Sequence, residues 1–349
     1  MPRTTAETAL KILLELKLVD GDFNFKTDGL TVSVPLIRHP RNGELEALRL
    51  KIDGMILEED EFEPRKRSPR NLEEALVGQI PGESLALLPK SFDIVGDIAI
   101  LELNPGLGTF EEKVAQAILE VHPNVRSVFA RTGPVSGPER IRPLRHVAGE
   151  NRTETIHREF GCSFKVDLSK AFFSPRLSTE HQQVARQVLE GERVMDMFAG
   201  VGPFSILIAK TVKKVAIDAI DSNPSAAKLI QENIRTNKVD SIVHVHLGDA
   251  REVARRLKHK ATRVIMNHPS AAKNFVDAAC TALQAKGGVV HYYTFAEGDN
   301  SDIDARDELE SALKHVGYSA RRFLDVRKVR EVAPMKWQVS IDAEVTPVS

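Results

Sequence analysis

The segment Asp196-Met197-Phe198-Ala199-Gly200-Val201-Gly202-Pro203-Phe204-Ser205 constrains this chain more than any other. A short apolar run around Val194 precedes it, and a helical pattern follows from Ser205 to Lys210. Strand, glycine turn and helix N-terminus in that order make a nucleotide-type site. The glycines let backbone approach a ligand, and the first helical N–H groups lack partners of their own. Further strands are expected at 214–221, 243–247, 263–266 and 289–294, with helices at 224–236 and 274–285. This alternation predicts an α/β fold, a Rossmann-like parallel sheet covered on both faces.

The chain before residue 171 reads differently. Residues 1–62 predict a small module, with a helix over 5–18 and an alternating run over 30–37. Residues 63–71 carry Lys66 and Arg67 between Pro64 and Pro69, with Arg70 next, as a linker or a phosphate-contacting surface. Residues 72–170 predict an α+β domain. Its elements are a helix at 71–77, two strands meeting at Gly96-Asp97, a helix at 110–121 and a strand over 157–166. Residues 171–349 then form the third domain.

Composition narrows the class. Apolar residues make up 42% and charged residues 28%, as in a folded domain. The net charge of -1 argues against a strongly acidic surface and leaves room for a local basic face. Cys162 and Cys280 stand alone, without a closely spaced Cys/His set, so neither a disulfide framework nor a metal site is expected. No run of eighteen apolar residues and no signal-type core occurs, which predicts a cytoplasmic protein without a membrane span.

In open α/β sheets ligands gather at the carboxyl ends of strands. Gly200 and Gly202, with Phe198 in the same loop, open the first such end. Asp196 is placed to hold an ammonium, directly or through water. Asp221 ends the second strand, 21 residues beyond Gly200, a distance that suits ribose hydroxyls. Asp218 competes for that role from within the strand. Asp249 ends the third strand, within reach of an adenine amino group. Each acid also has a plain reading as a helix or turn cap. Ser205 replaces the third glycine of a dinucleotide loop, and an acid precedes the turn; both favour S-adenosylmethionine over NAD. A serine is tolerated there, so NAD stays the alternative.

The fourth strand end, Asn267-His268-Pro269, lies opposite the donor side. An amide can bond a base edge, and proline offers a rigid apolar surface. Upstream, Phe172-Phe173-Ser174-Pro175-Arg176 leads into a helix carrying Glu180. Glu180 reads either as a capping residue or as a general base. Arg140 and Arg142 sit on an exposed turn. The plain alternatives are a helix-starting loop for 267–269 and ordinary core for the two aromatics.

These segments resemble the archaeal and eukaryotic tRNA guanine-37 N1-methyltransferases, an archaeal member in particular. The likeness rests on 148–153, 173–177, 196–204, 267–269 and His291-Tyr292-Tyr293, and covers at least residues 90–345. It implies a class I methyltransferase sheet with N-terminal α+β RNA-recognition domains. It implies S-adenosylmethionine as cofactor, the anticodon loop and body of tRNA as partner, a monomer, and methylation of N1 of guanosine 37. Glu180 matches the family's general base, which partial burial beside aromatics would tune. Arg140 matches its catalytic arginine, with Arg142 close enough to compete. Asn267 and Pro269 match residues that hold the base, Asn267 also bordering the cofactor. Phe172 stands where an archaeal relative has tyrosine, and His268 where the family usually has leucine. With Phe173, Arg176 and Arg142 they are the expected substrate contacts. Wyosine-pathway aminocarboxypropyl transferases share the fold and first loop, and one branch methylates a tricyclic guanosine derivative. The Asn-x-Pro segment favours methyl transfer. Phosphates would fall to Arg126, Arg131, Arg142, Arg145, Lys66 and Arg67. The run Arg327-Lys328-Val329-Arg330 reads as charge on an edge strand.

Overall fold

A computed structural model describes residues 1–65, 69–133, 137 and 141–348. The chain divides into two units, Met1–Arg70 and Asn71–Ser349. In the first, helices Ala6–Glu15 and Asn42–Lys51 bury Ala9, Leu13, Leu18, Leu48 and Ile52 together. The alternation over 30–37 yields a strand only at Val32–Ser33, paired antiparallel with Lys26–Thr27.

The second unit begins with a four-stranded sheet of β1 (Asp93–Val95), β2 (Ile98–Leu101), β3 (Ser127–Arg131) and β4 (Leu144–Gly149), in that order. The expected turn at Gly96-Asp97 joins β1 to β2. Helix α1 (Glu111–Val121) covers this sheet with Val114, Ala115 and Ile118. The single strand expected over 157–166 is instead a hairpin, β5 (Glu154–Glu159) and β6 (Cys162–Asp167). It turns at Phe160 and Gly161, both at positive φ (47° and 76°). Positive φ at both central residues suits the right-handed twist of two paired strands.

The main sheet follows from β7 (Arg193–Asp196), β8 (Ala216–Asp221), β9 (Val243–Leu247), β10 (Arg263–Met266), β11 (Gly288–Glu297), β12 (Tyr318–Ala333) and β13 (Lys336–Pro347). Their order is β9-β8-β7-β10-β11-β13-β12, parallel through β11 and antiparallel beyond it. The α/β class I methyltransferase architecture is therefore present. The strand order reverses between the parallel neighbours β7 and β10, and that switch point opens a crevice at the strand ends.

Helices α2 (Ser178–Gln187), α3 (Pro203–Thr211) and α4 (Pro224–Asn237) share one core cluster, with Val184, Ile208 and Ile230 buried. Helices α5 (Ala250–Arg256), α6 (Val276–Ala282) and α7 (Ser301–His315) share another, with Val253, Cys280 and Leu309 buried. Each large aliphatic side chain so buried stabilises the fold by roughly 1.5–3 kcal/mol. The four positions expected to be buried on α4, Ala227, Leu229, Ile230 and Ile234, are buried. Pro224 opens α4, and the Asn223 side chain caps it by accepting from Ser225 N at 2.9 Å.

Two asparagines one turn apart on α4 tie the hairpin to that helix. Asn233 accepts from Lys165 N at 2.7 Å and donates to Lys165 O at 3.1 Å. Asn237 does the same for Ser163, at 3.0 and 2.7 Å. Side-chain amides thus take the place of a neighbouring strand along β6 and satisfy its backbone. The segment after β6, which carries Phe172 and Phe173, is thereby fixed over the sheet's carboxyl edge.

Candidate active site

The ends of β7, β8, β9 and β10 line one side of a cavity of about 710 Å³. Phe198 and Gly200 follow β7, Asp221 ends β8, Asp249 follows β9, and Asn267 and His268 follow β10. The facing wall is Asp93, Arg131, Arg142, Phe172, Phe173, Ser174, Phe295 and Arg330. The size lies within the usual range for a small-ligand pocket.

The glycine loop takes its shape from two residues in left-handed backbone. Gly200 has φ 59°, and Gly202, which caps α3, has φ 90°. A Cβ on Gly200 would stand 3.3 Å from Phe172 O. Asp221 holds the loop directly. Its Oδ2 accepts from Gly200 N at 2.8 Å, and its Oδ1 accepts from Asn223 N at 2.9 Å. This carboxylate therefore faces the cavity at the rim of the glycine turn. Gly202 is buried behind it, off the cavity wall.

Asp196 is not on the wall. It is fully buried under the loop, and its Oδ2 accepts from Ser205 Oγ at 2.8 Å. Burial, helped by the charge of Asp221, pushes its carboxyl from the ordinary 3.8 up to about 7, against the Ser205 hydrogen bond. Between roughly pH 4 and 7 the folded chain keeps a proton that the unfolded chain has released, so stability falls as pH rises through that window. Asp196→Asn should match the parent near pH 4 and exceed it by at most about 4 kcal/mol above pH 7. Urea unfolding at the two pH values checks this; an equal offset at both would refute it.

Asp249 caps α5, accepting from Arg251 N at 2.8 Å. Arg251 Nε and Nη2 also reach it, at 2.9 and 2.5 Å, and hold its carboxyl below the usual range. Asp218 is drawn away from the loop, to Arg193 Nε at 2.9 Å and His246 Nε2 at 2.8 Å. An aromatic cluster closes this side. Phe198 meets His268 and Phe275 edge to face, at 5.0 and 4.9 Å between centroids. His268 thus packs against the cofactor-side aromatic. Pro269 is buried and is not on the cavity wall.

The facing wall is rich in guanidinium groups. Asp93 pairs with Arg131, and it accepts from Arg176 Nε at 2.5 Å. Burial, with the charge of Arg131 nearby, lowers the Arg142 pKa. Burial likewise lowers that of Arg330, with Arg176 adding to it. Such a wall attracts anions. Phe173 packs against the His157 ring at 5.0 Å and still reaches the cavity. Among the other expected phosphate contacts, Arg145 pairs with Glu111 at 2.5 Å and Arg126 lies 3.8 Å from Glu150. Arg140, Lys66 and Arg67 lie outside the described residues.

Glu180 is buried at 4% exposure on α2 and does not line the cavity. The surroundings expected for it were aromatic; those observed are largely ionic. Its Oε1 accepts from Arg327 Nε at 3.0 Å, and its Oε2 from Arg327 Nη2 at 2.8 Å and from Tyr293 Oη at 3.1 Å. Arg327 Nη1 bonds Asp342 Oδ2 at 2.8 Å, and Asp342 Oδ1 meets His291 Nδ1 at 2.7 Å. Arg263 Nη1 lies 2.7 Å from His291 Nε2 and can only donate, so that nitrogen accepts and Nδ1 carries the hydrogen. Arg263 in turn pairs with Glu192 at 2.7 Å.

From sequence, Arg327 and Arg330 read only as charge on an edge strand, and Gln338 and Asp93 carried no expected role. Arg327 and Arg330 are three apart, which in a regular strand puts them on opposite faces. A register shift between Lys328 and Arg330 brings both to one face, where they pair with Ser340 and Gln338 of β13.

Residues 155–321 match the TRM5/TYW2 methyltransferase domain, and residues 72–153 match the TYW2 N-terminal domain. The chain is 39% identical to the tRNA (guanine(37)-N(1))-methyltransferase Trm5b of Pyrococcus abyssi, over 99% of this chain and 98% of that one. It superposes on a solved complex of aTrm5 and tRNALeu with a TM-score of 0.77, at 31% identity, covering 99% of this chain and 98% of that one. It also superposes on TYW2 of M. jannaschii in complex with AdoMet, with a TM-score of 0.57 at 29% identity, covering 74% of this chain and all of that one.

Proposed function

The chain belongs to the TRM5/TYW2 methyltransferase family, and on that footing we propose that it transfers a methyl group from S-adenosylmethionine to N1 of guanosine 37 in tRNA. One observation carries the reading. A single cavity joins a glycine loop braced by Asp221, with Asn267 at a neighbouring strand end, to a facing wall of arginines and aromatics.

The residues present fit the cofactor. The Gly200 backbone leaves room for a close ligand, the Asp221 carboxylate suits ribose hydroxyls, and Phe198 with Ala250 gives an apolar surface for adenine. Bound there, S-adenosylmethionine supplies an electrophilic methyl group on a sulfonium. The protein's own residues do the rest. Guanine N1 carries a proton and is a poor nucleophile until it leaves. Glu180 is the base assigned to that proton: it sits behind the cavity wall, three donors occupy three of its roughly four lone-pair sites, and the guanine edge must reach the one acceptor site left. Arg142, or Arg140 two positions earlier in the sequence, binds O6 as negative charge grows there. Phe172, Phe173 and Asn267 hold the base. Bases of a loop leave their stack at lower cost than paired ones. Arg131, Arg176 and Arg330 draw the flanking phosphates of the anticodon loop. The protein acts in the cytoplasm as a monomer.

Mass mapping of position 37 after reaction with unmodified tRNA tests the reading. A single methyl on guanosine-37, and none on an adenosine-37 control, is expected. With tRNA that carries the tricyclic guanosine derivative at position 37, an aminocarboxypropyl adduct with release of methylthioadenosine would assign the wyosine chemistry instead.

A further inference from the structure

Behind the cavity wall, Gln338 is 1% exposed and lies between two residues that line the cavity. Its Oε1 accepts from Arg330 Nε at 2.9 Å, and its Nε2 donates to Asn267 Oδ1 at 3.3 Å. Arg330 is itself anchored, donating through Nη1 to Ser174 Oγ at 3.2 Å. The polarity of this line follows from one chemical fact. A guanidinium has five N–H donors and no acceptor. Arg330 therefore fixes which end of Gln338 is oxygen, so the Gln338 NH₂ must face Asn267. That NH₂ in turn fixes Asn267 Oδ1 toward Gln338. The amide edge of Asn267 left for a ligand is its NH₂, a donor.

Resting on the proposed function, we infer that Gln338 is a positioning residue that locks Asn267 as a hydrogen-bond donor toward the acceptor edge of the guanine base. Guanine presents the acceptor O6 where adenine presents an amino donor. A locked donor is matched by the first and opposed by the second. Because the lock is buried, Asn267 does not turn over to suit the wrong base. As N1 loses its proton, charge moves onto O6, so the same donor gains strength along the reaction.

Single-turnover methylation of guanosine-37 tRNA by Gln338→Glu and Gln338→Met, each with its melting curve, tests the inference. Glu keeps the bond to Arg330 but accepts where Gln338 donated, so Asn267 turns its NH₂ inward and presents oxygen to the base. Met loses both bonds and leaves Asn267 free to take either pose. The inference expects Gln338→Glu to be the slower of the two, down roughly 10²-fold. If Gln338 only fills space and steadies the wall, the order reverses, because Glu still holds Arg330. Asn267→Asp also presents only oxygen and should match Gln338→Glu; it carries the test if the Gln338 variants melt early. Parent-like rates in Asn267→Asp, or Gln338→Met slower than Gln338→Glu, would overturn the inference. The proposed function itself is judged separately, by the parent enzyme's product on the same tRNA.

Discussion

Glu180→Gln should slow single-turnover methyl transfer by roughly 10²–10⁴-fold, the range expected for losing a general base. Affinity for tRNA should stay nearly unchanged. The substitution removes the charge and sets an amide NH₂ against one arginine N–H, so one of the two bonds from Arg327 is lost. Gln keeps the side-chain shape and one acceptor oxygen for Arg327, and Arg327 keeps its bonds to Asp325 and Asp342, both at 2.8 Å. No buried cation is left alone, so a collapse of the fold is not expected. Rate and binding are read on the same preparation, by quench-flow and filter binding. If both fall by the same factor, Glu180 serves as a strut under the wall, and the proton goes elsewhere.

Arg327→Leu should destabilise the second unit by about 3–5 kcal/mol, because it strips the partner from buried carboxylates. Asp342 is fully buried, and Glu180 nearly so. Burial by itself would raise the Asp342 carboxyl, yet the His291 hydrogen bond and the Arg327 charge outweigh it and hold the group below the usual range. Removing Arg327 takes away much of that compensation. Trp337, the chain's single tryptophan, lies on β13 and reports unfolding of this unit by fluorescence. A loss of under about 1 kcal/mol would mean that the cluster behaves like a surface ion pair. Arg327→Lys should fall between, since an ammonium restores charge without the two-pronged fit to Glu180.

The parallel half of the main sheet was readable because each of its strands is a short apolar run closed by a turn signal. The loop residues Gly200, Asp221, Asp249 and Asn267 sit together for the same reason: successive strand ends of such a sheet must converge. Local chemistry also misled. The Phe160-Gly161 turn holds a single glycine, so one hairpin read as one strand. The helix expected over 274–285 shortens to Val276–Ala282, preceded by a tighter turn at Ala272–Phe275. Asp196 looked like a ligand group because it precedes the loop, but its strand carries it beneath the loop to Ser205. The partners of Glu180 and Asn267 were not readable at all. Arg327 lies 147 positions from Glu180, and Gln338 lies 71 from Asn267. No spacing rule spans such separations.

The irregular β12 has a consequence for how this enzyme can vary. An outermost strand ordinarily accepts a gained or lost residue, since little depends on its phase. Here the extra residue between Lys328 and Arg330 is what lets one guanidinium reach Glu180 while the other reaches Gln338. Deleting a single residue there would send one arginine into solvent while every side chain of the line survived in the sequence. In this stretch, length is the protected quantity, and composition comes second to it.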